Sequence, residues 1–416
     1  MNNAENRIQG LIRRIEPLIK TDLSYLFSGG GWLLTGYFIQ IGTGLVLSVA
    51  FANLLPKEAY GTYQFIISMA AIASVFTLTG MGTAVMQSTA QGSTSALRYG
   101  VRTQLLWSCG IAAAAGSFAL YYFLNQNSLL AVAFFAVALL QPFIISFALY
   151  KSYLQARGFF RESVLIDTLQ RLVLFLAVFT VLYTTQDPLY VVFAYFGTSA
   201  LTLLFAYLYV VRKYSLTRVR SKELLTYSKH LSVMESLAEA ANAADKALIW
   251  FFLGGAPLAA YALAQLPIIH LQTMFGFVRQ LALPKFAKRD IQEIKAMLPQ
   301  KIRLYFVVAL GTVGLYILLA PLLFGLLFPL YPEAILYSQL LALSVLSVPR
   351  SLVTQAFLAH QRKRELYIIN VSVPFVRVLL LALLLWQFGI LGAIAAVLIT
   401  ELFAALLQWY LLIRMK

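Results

Sequence analysis

The chain has 416 residues, of which 61% are apolar and only 12% are charged, and its formal net charge is +16. Soluble domains average roughly 45–50% apolar and about 25% charged residues, so this composition excludes a soluble fold and indicates an integral membrane protein. In a membrane protein the basic excess is expected in loops beside anionic lipid, so nucleic-acid binding is not expected.

The first 22 residues carry charges throughout and lack the unbroken apolar core of a cleavable signal peptide. Their apolar residues recur at helical spacing: Ile8, Leu11, Ile12, Ile15, Leu18 and Ile19. We interpret residues 1–22 as a cytoplasmic amphipathic segment that lies along the membrane surface. A frayed polar tail is the alternative interpretation.

The remainder of the chain consists of apolar runs, and about 20 apolar residues are needed to cross a bilayer. We predict twelve spans, near 24–52, 62–90, 103–124, 128–156, 163–185, 188–211, 230–254, 257–282, 303–327, 334–360, 366–387 and 390–413. The predicted fold class is therefore an all-α integral membrane protein with twelve transmembrane helices.

The basic residues fix the predicted orientation. Of the 32 Lys and Arg, 26 lie at the two ends of the chain and in every second gap, whereas the other gaps hold only Lys57. Because cytoplasmic loops collect cations, the N- and C-termini are both predicted in the cytoplasm.

The chain divides into two similar halves at a basic linker, residues 212–229. Each predicted lobe has six helices, 23–211 and 230–416, and each carries an arginine in its fifth span, Arg171 and Arg377. Two halves with equal span number and equal orientation imply a pseudo-two-fold axis along the membrane normal, with a substrate site between the lobes.

Five cations remain inside predicted spans, where a charge costs at least about 2.5–3.5 kcal/mol. They are Lys151, Lys246, Arg171, Arg350 and Arg377. Guanidinium groups match phosphate geometry, so the hypothesis is a diphosphate site formed by Arg171, Arg350, Arg377 and Lys246. The alternative is that the arginines pair with Asp167, Glu401 or Glu365. Lys151 is close enough to a span end to snorkel to the interface.

A polar stripe runs along the seventh span. Glu235, Glu239, Asn242 and Lys246 follow at i, i+4, i+7 and i+11, so they share one helix face. Such a stripe is expected to face a water-filled cavity, although structural glue between helices is the alternative. Candidates for contacting a glycan, or a coupling Na⁺ or H⁺, are Glu235, Glu239, Asn242, Asp245 and Asp167.

Other chemistry is not expected. The three histidines are scattered, so a metal site is not predicted, and the longest cytoplasmic gaps lack a glycine-rich phosphate loop. We predict no cofactor, no catalytic residue and no enzymatic activity.

Three short motifs resemble one family of transporters. They are the stretches Leu55–Tyr63 (LPKEAYGTY), Leu154–Gly158 (LQARG) and Asp245–Ile249 (DKALI), the last followed by Gly254 and Tyr261. In these motifs and in topology the chain resembles bacterial polysaccharide biosynthesis flippases of the multidrug/oligosaccharidyl-lipid/polysaccharide exporter superfamily.

The resemblance implies a multi-pass inner-membrane flippase with no enzymatic role. Its expected substrate is an undecaprenyl-diphosphate-linked oligosaccharide repeat unit, turned from the cytoplasmic to the outer leaflet by alternating access for O-antigen (lipopolysaccharide) or capsule assembly. Its expected partners are membrane lipids, a polysaccharide polymerase and the chain-length machinery.

Two other functions stay open. A cation-coupled multidrug antiporter of the related twelve-helix family often relies on a carboxylate in the first span, and none lies between Asp22 and Glu58. A membrane enzyme such as an oligosaccharide polymerase or ligase is expected to carry a sizeable outer loop, whereas the predicted outward gaps are short.

Overall fold

The computed structural model describes residues 23–214, 222–286, 291–360 and 362–414. Throughout these ranges the regular secondary structure is helical. The predicted amphipathic segment 1–22 lies outside the described residues, as do residues 215–221 of the predicted linker.

Nine α-helices form the described part of the first half of the chain, from residue 23 to residue 214. They are α1 (Leu23–Leu54), α2 (Lys57–Ala73), α3 (Met81–Ala90), α4 (Ala96–Trp107), α5 (Cys109–Leu124), α6 (Ser128–Phe147), α7 (Leu149–Ala156), α8 (Phe160–Thr184) and α9 (Pro188–Lys213). Several of these are segments of one span: a 3₁₀ turn at Ser74–Phe76 precedes α3, and short breaks separate α4 from α5 and α6 from α7.

Six α-helices form the second half. They are α10 (Lys222–Leu253), α11 (Gly255–Phe286), α12 (Ile291–Leu327), α13 (Glu333–Ala342), α14 (Ser351–Ala359) and α15 (Lys363–Arg414). A 3₁₀ segment, Leu343–Arg350, joins α13 to α14. Gly389 divides α15 into two arms, and its φ of 58° lies in the left-handed region that favours glycine.

The predicted number of spans is confirmed. Ten of the described helical segments are long and apolar enough to cross a membrane, and one of them is α15, whose two arms make two spans. The twelfth span is α10, which has 32 residues but carries the polar stripe. The protein is therefore a multi-pass membrane protein of twelve transmembrane helices.

Several helices begin earlier than predicted. The second span begins at Lys57 instead of residue 62, and the third at Ala96 instead of 103, which places Arg98 and Arg102 on α4. Likewise α10 begins at Lys222, so residues 222–229 of the predicted linker are helical. Hydropathy marks where a helix leaves the apolar layer, whereas backbone hydrogen bonding continues into polar turns.

The two halves repeat the same packing. In both, the first span packs on the fifth, the third on the fourth, and the fourth on the second and on the sixth. Examples are α1 against α8 in the first half and α10 against α15 in the second. This repetition is what a pseudo-two-fold relation between six-helix lobes produces.

The lobes meet along α2. This helix packs on α10 and α11, and the ring of Phe65 stacks on that of Trp250 with centroids 4.7 Å apart. Near the start of α2 the backbones come closer still, because a Cβ added at Gly61 would overlap the carbonyl group of Gly255. Glycine is required at Gly61 for this close approach of the two lobes.

The lobes are also tied at the end of the molecule that carries Lys57, which we call the Lys57 end. Lys57 Nζ lies 2.7 Å from the carboxylate of Glu333, and the Asn53 side-chain amide donates to the carbonyl oxygen of Leu327 at 3.0 Å. Both contacts join the first half to the second. The two halves are therefore in contact at the Lys57 end in this conformation.

Candidate functional site

Asp245 on α10 is the most buried charged group described. Its side chain is 1% exposed and accepts hydrogen bonds from the Tyr261 hydroxyl at 3.0 Å and the Gln265 amide at 2.8 Å, both from α11. Arg377, on the first arm of α15, completes the group with its Nη2 at 3.4 Å. One carboxylate therefore ties three helices of the second lobe together, as a buried charge requires.

Arg377 also contacts the polar stripe. Its Nη1 donates to the Asn242 side-chain oxygen at 3.2 Å, one helical turn before Asp245. Its Nε is buried and has no hydrogen-bond partner within the described part of the chain. The protein therefore does not use all of the hydrogen-bond donors of this guanidinium group.

Lys246 reaches in a different direction, to the first lobe. Its Nζ donates to the Gln64 side-chain oxygen at 3.4 Å, and the Gln64 amide donates to the Tyr60 hydroxyl at 2.9 Å. Among the described residues Lys246 has no ion pair. Its charge is therefore less well balanced by neighbouring carboxylates than that of Arg377.

These contacts define the position of the polar stripe. Asn242 contacts α15 of its own lobe while Lys246 contacts α2 of the other, so this polar face of α10 lies at the boundary of the lobes. Asn242 and Glu239 are both exposed along it. We call this the α10 groove; the side chain of Glu235 lies outside the described residues.

Arg171 lies in the first lobe, in a group of its own. Its Nε is 3.0 Å from one oxygen of Asp167, one turn earlier on α8, and Lys151 on α7 is 3.2 Å from the other oxygen. The Lys151 ammonium therefore pairs with Asp167, while its side chain remains 41% exposed. Asp167 is shared between two cations.

Arg171→Ala is expected to destabilise the protein by less than about 1.5 kcal/mol, because Asp167 keeps the Lys151 ammonium as a counter-ion. Asp167→Asn is expected to cost more, since it leaves two cations without their carboxylate. Unfolding of the purified variants in micelles compares the two. An Arg171→Ala cost equal to or above that of Asp167→Asn would contradict this account.

Arg350 is held in a third place. Its Nη2 lies 2.6 Å from Glu401 on the second arm of α15, and the hydroxyl of Ser347 donates to the same carboxylate. Arg350 and Arg171 thus pair with two of the acids considered from sequence, whereas Arg377 pairs with Asp245 and not with Glu365. Within the described residues no contact joins Arg171 or Arg350 to the α10 groove.

The structure therefore gathers only some of the predicted site residues. Arg377, Lys246, Asn242, Glu239 and Asp245 belong to the α10 groove, together with three residues that sequence reasoning did not assign to the site: Gln64, Tyr261 and Gln265. The signal that could have found them is polarity inside a span, since Tyr261 and Gln265 are four residues apart and share one face of the apolar first half of α11.

The family model described as polysaccharide biosynthesis protein matches residues 26–289, which include the first lobe except for its first three residues, and all of α10 and α11. The chain belongs to the polysaccharide biosynthesis protein family. A search of curated proteins finds no match.

Solved structures with a similar fold include a lipid flippase and two transporters of the MOP superfamily. The lipid II flippase MurJ in an inward closed conformation has a TM-score of 0.73 at 12% identity, over 90% of this chain and 86% of that one. An inward-facing multidrug resistance MATE family transporter of the MOP superfamily has a TM-score of 0.66 at 14% identity, over 89% and 93%.

A third structure is a MOP superfamily transporter from Pyrococcus furiosus, described as having a binding pocket of reverse polarity. It has a TM-score of 0.63 at 14% identity, over 93% of this chain and 95% of that one. At these identities the similarity shows that this member of the polysaccharide biosynthesis family has the MOP-superfamily fold.

Proposed function

We propose that this protein is a flippase that turns undecaprenyl-diphosphate-linked oligosaccharide repeat units from the cytoplasmic to the outer leaflet of the bacterial inner membrane. The observation that carries the proposal is the α10 groove. It holds an ammonium and a guanidinium, from Lys246 and Arg377, on a polar face between two lobes of a polysaccharide biosynthesis family protein.

The groove has the chemistry to hold a diphosphate. Lys246 has only the Gln64 amide as a weak partner, at 3.4 Å, and Arg377 has its Nε free among the described residues. The Arg377 to Asp245 distance of 3.4 Å is longer than the 2.6 Å pair of Arg350 and Glu401. Arg377 can therefore turn part of its fork to phosphate oxygens while its Nη2 stays beside Asp245, which Tyr261 and Gln265 also hold.

The exposed part of the stripe suits a sugar. Glu239 and Asn242 offer carboxylate and amide groups that pair with hydroxyls, and they lie toward the start of α10, before Lys246. The lipid chain remains between the lobes in contact with the bilayer. Diphosphate, glycan and lipid each meet groups of matching polarity.

Contacts between the lobes support alternating access. We assign the Lys57 end to the outer side, because the connections at the opposite end carry most of the basic residues. Because Lys57, Glu333 and Asn53 tie the lobes together there, the groove is closed to the outer side in this conformation. Rocking of the lobes, taken as residues 23–211 and 230–416, then exposes the groove outward.

Outward movement of a fluorescent undecaprenyl-diphosphate oligosaccharide in proteoliposomes tests the proposal. The intact protein is expected to move it, and Lys246→Ala to reduce the rate at least about tenfold, because a desolvated contact to a charged phosphate is worth about 1.5–3 kcal/mol. Lys301→Ala, at an exposed position near the start of α12, is the matched control and is expected to leave the rate unchanged.

The same vesicles test the second candidate, a cation-coupled multidrug antiporter, which the MATE-like fold favours. Ion-driven export of a soluble organic cation without movement of the lipid-linked sugar would overturn the flippase. A flippase requirement for Na⁺ or a proton gradient would implicate the acids Asp245, Glu239, Glu235 or Asp167 as coupling groups.

The lipid-linked oligosaccharide that reaches the outer leaflet would then pass to a polysaccharide polymerase with its chain-length machinery.

A further inference from the structure

A cavity far from the α10 groove lies where α4, α9 and the first turn of α10 meet. Its volume is about 870 Å³, within the range of small-ligand sites. Arg98 and Arg102 line one wall, and the rest is aromatic or apolar: Tyr99, Leu106, Trp107, Tyr207, Leu208, Val211 and Leu225, with Thr103 the one other polar residue.

The two arginines are the unusual feature of this cavity. They are four residues apart on α4, so both side chains lie on one face, and in the described part of the chain neither has an ion pair. Lys213, at the end of α9, differs because Glu162 lies 2.9 Å away and neutralises it. Two like charges without a carboxylate on one wall of a cavity create a site for an anion.

A third cation borders the same place. Lys229 on α10 lies over the ring of Trp107, with its Nζ 4.8 Å from the ring centroid. Trp107 is 44% exposed and Leu106 is 66% exposed, so the rim of the cavity presents apolar side chains at the outer surface of the helix bundle. An anionic group in the cavity therefore has a path for an attached apolar chain.

We propose that this cavity binds the phosphate headgroup of an anionic glycerophospholipid, with its acyl chains lying along Leu106 and Trp107. The combination of paired arginines with an apolar rim favours a lipid over a free phosphate, because a soluble anion would gain nothing from the rim. Cytoplasmic basic pockets between membrane helices commonly bind such headgroups.

The cavity lies between the two lobes, so a lipid bound in it would affect how the lobes are arranged. Helices α4 and α9 belong to the first lobe, whereas Leu225 and Lys229 belong to the first helix of the second. A lipid bound here touches both, so its occupancy favours the conformation in which these helices are together. This inference does not depend on the substrate proposed for the α10 groove.

The test is native mass spectrometry of the full chain released from micelles. Three probes are titrated: dioleoyl phosphatidylglycerol, dioleoyl phosphatidylcholine and sn-glycerol 3-phosphate. The intact protein is expected to retain phosphatidylglycerol preferentially. Arg98→Gln with Arg102→Gln is expected to weaken this retention about thirtyfold, since each basic group near anionic lipid contributes a factor of about five to six.

The controls separate the alternatives. Arg303→Gln with Arg364→Gln removes the same charge from exposed positions outside the cavity, and is expected to leave retention unchanged. Leu208→Trp keeps both arginines but fills the cavity, and is expected to reduce retention. Equal retention of phosphatidylcholine, saturation by glycerol phosphate alone, or equal losses in the two double variants would overturn the proposal.

Discussion

Arg377→Ala is expected to lower the free energy of unfolding by about 3–5 kcal/mol, because it leaves the buried Asp245 carboxylate without its counter-ion. Tyr261 and Gln265 would still donate to Asp245, so the fold is expected to survive at reduced stability. Denaturation of the purified protein by SDS in mixed micelles measures the loss. Arg364→Ala, at an exposed site near the start of α15, is the control.

A double-mutant cycle identifies the source of that loss. Asp245→Asn alone leaves Arg377 without its carboxylate, and Asp245→Asn with Arg377→Ala removes both charges. If the ion pair carries the effect, the double variant is more stable than the sum of the single losses predicts, by at least about 1 kcal/mol. Additive losses would mean that the two side chains stabilise the lobe independently.

Gly61→Ala is expected to abolish transport while leaving each lobe folded. The added Cβ would overlap the Gly255 carbonyl and lie 2.6 Å from the Gly255 Cα, and backbone atoms of two packed helices cannot yield as a flexible side chain would. Overpacking of this kind costs about 1–3 kcal/mol. The cost falls only on the conformation in which the lobes meet at the Lys57 end, so the equilibrium shifts away from it.

Spin labels on Gln186 and Leu330 would measure this shift, because both positions are exposed and lie on opposite lobes at the Lys57 end. The variant is expected to show longer distances than the intact protein. Gly311→Ala is the matched control, since nothing lies within 4 Å of a Cβ added there. Unchanged distances in Gly61→Ala would show that α2 and α11 can separate locally without opening the lobes.

The number of spans could be predicted from sequence because each span is one contiguous run of apolar residues. Arg350 and Arg171 could likewise be matched to candidate acids, since the set of intramembrane carboxylates is small. Even α10, which is too polar for a simple hydropathy criterion, is recognisable as a span from its neighbours on either side.

The partner of each charge could not be predicted, because it depends on which helix faces lie side by side. Asp245 is adjacent to Lys246 in sequence, yet it pairs with Arg377 on another helix while Lys246 turns to Gln64 across the lobe boundary. From sequence, Arg171, Arg350 and Arg377 are placed in one diphosphate site, because all three lie inside spans and carry a group that matches phosphate. Lateral position places them in three separate ion pairs.

The connections at the Lys57 end are all short. Among the described residues they comprise 55–56, 125–127, 185–187, Gly254, 328–332 and Gly389, so none exceeds five residues. Proteases cleave at long exposed loop tips, and this surface has none. The polymerase proposed to receive the product would therefore have only the lipid-facing flanks of the helices to recognise. Transfer of the substrate between the two proteins would then take place within the plane of the bilayer.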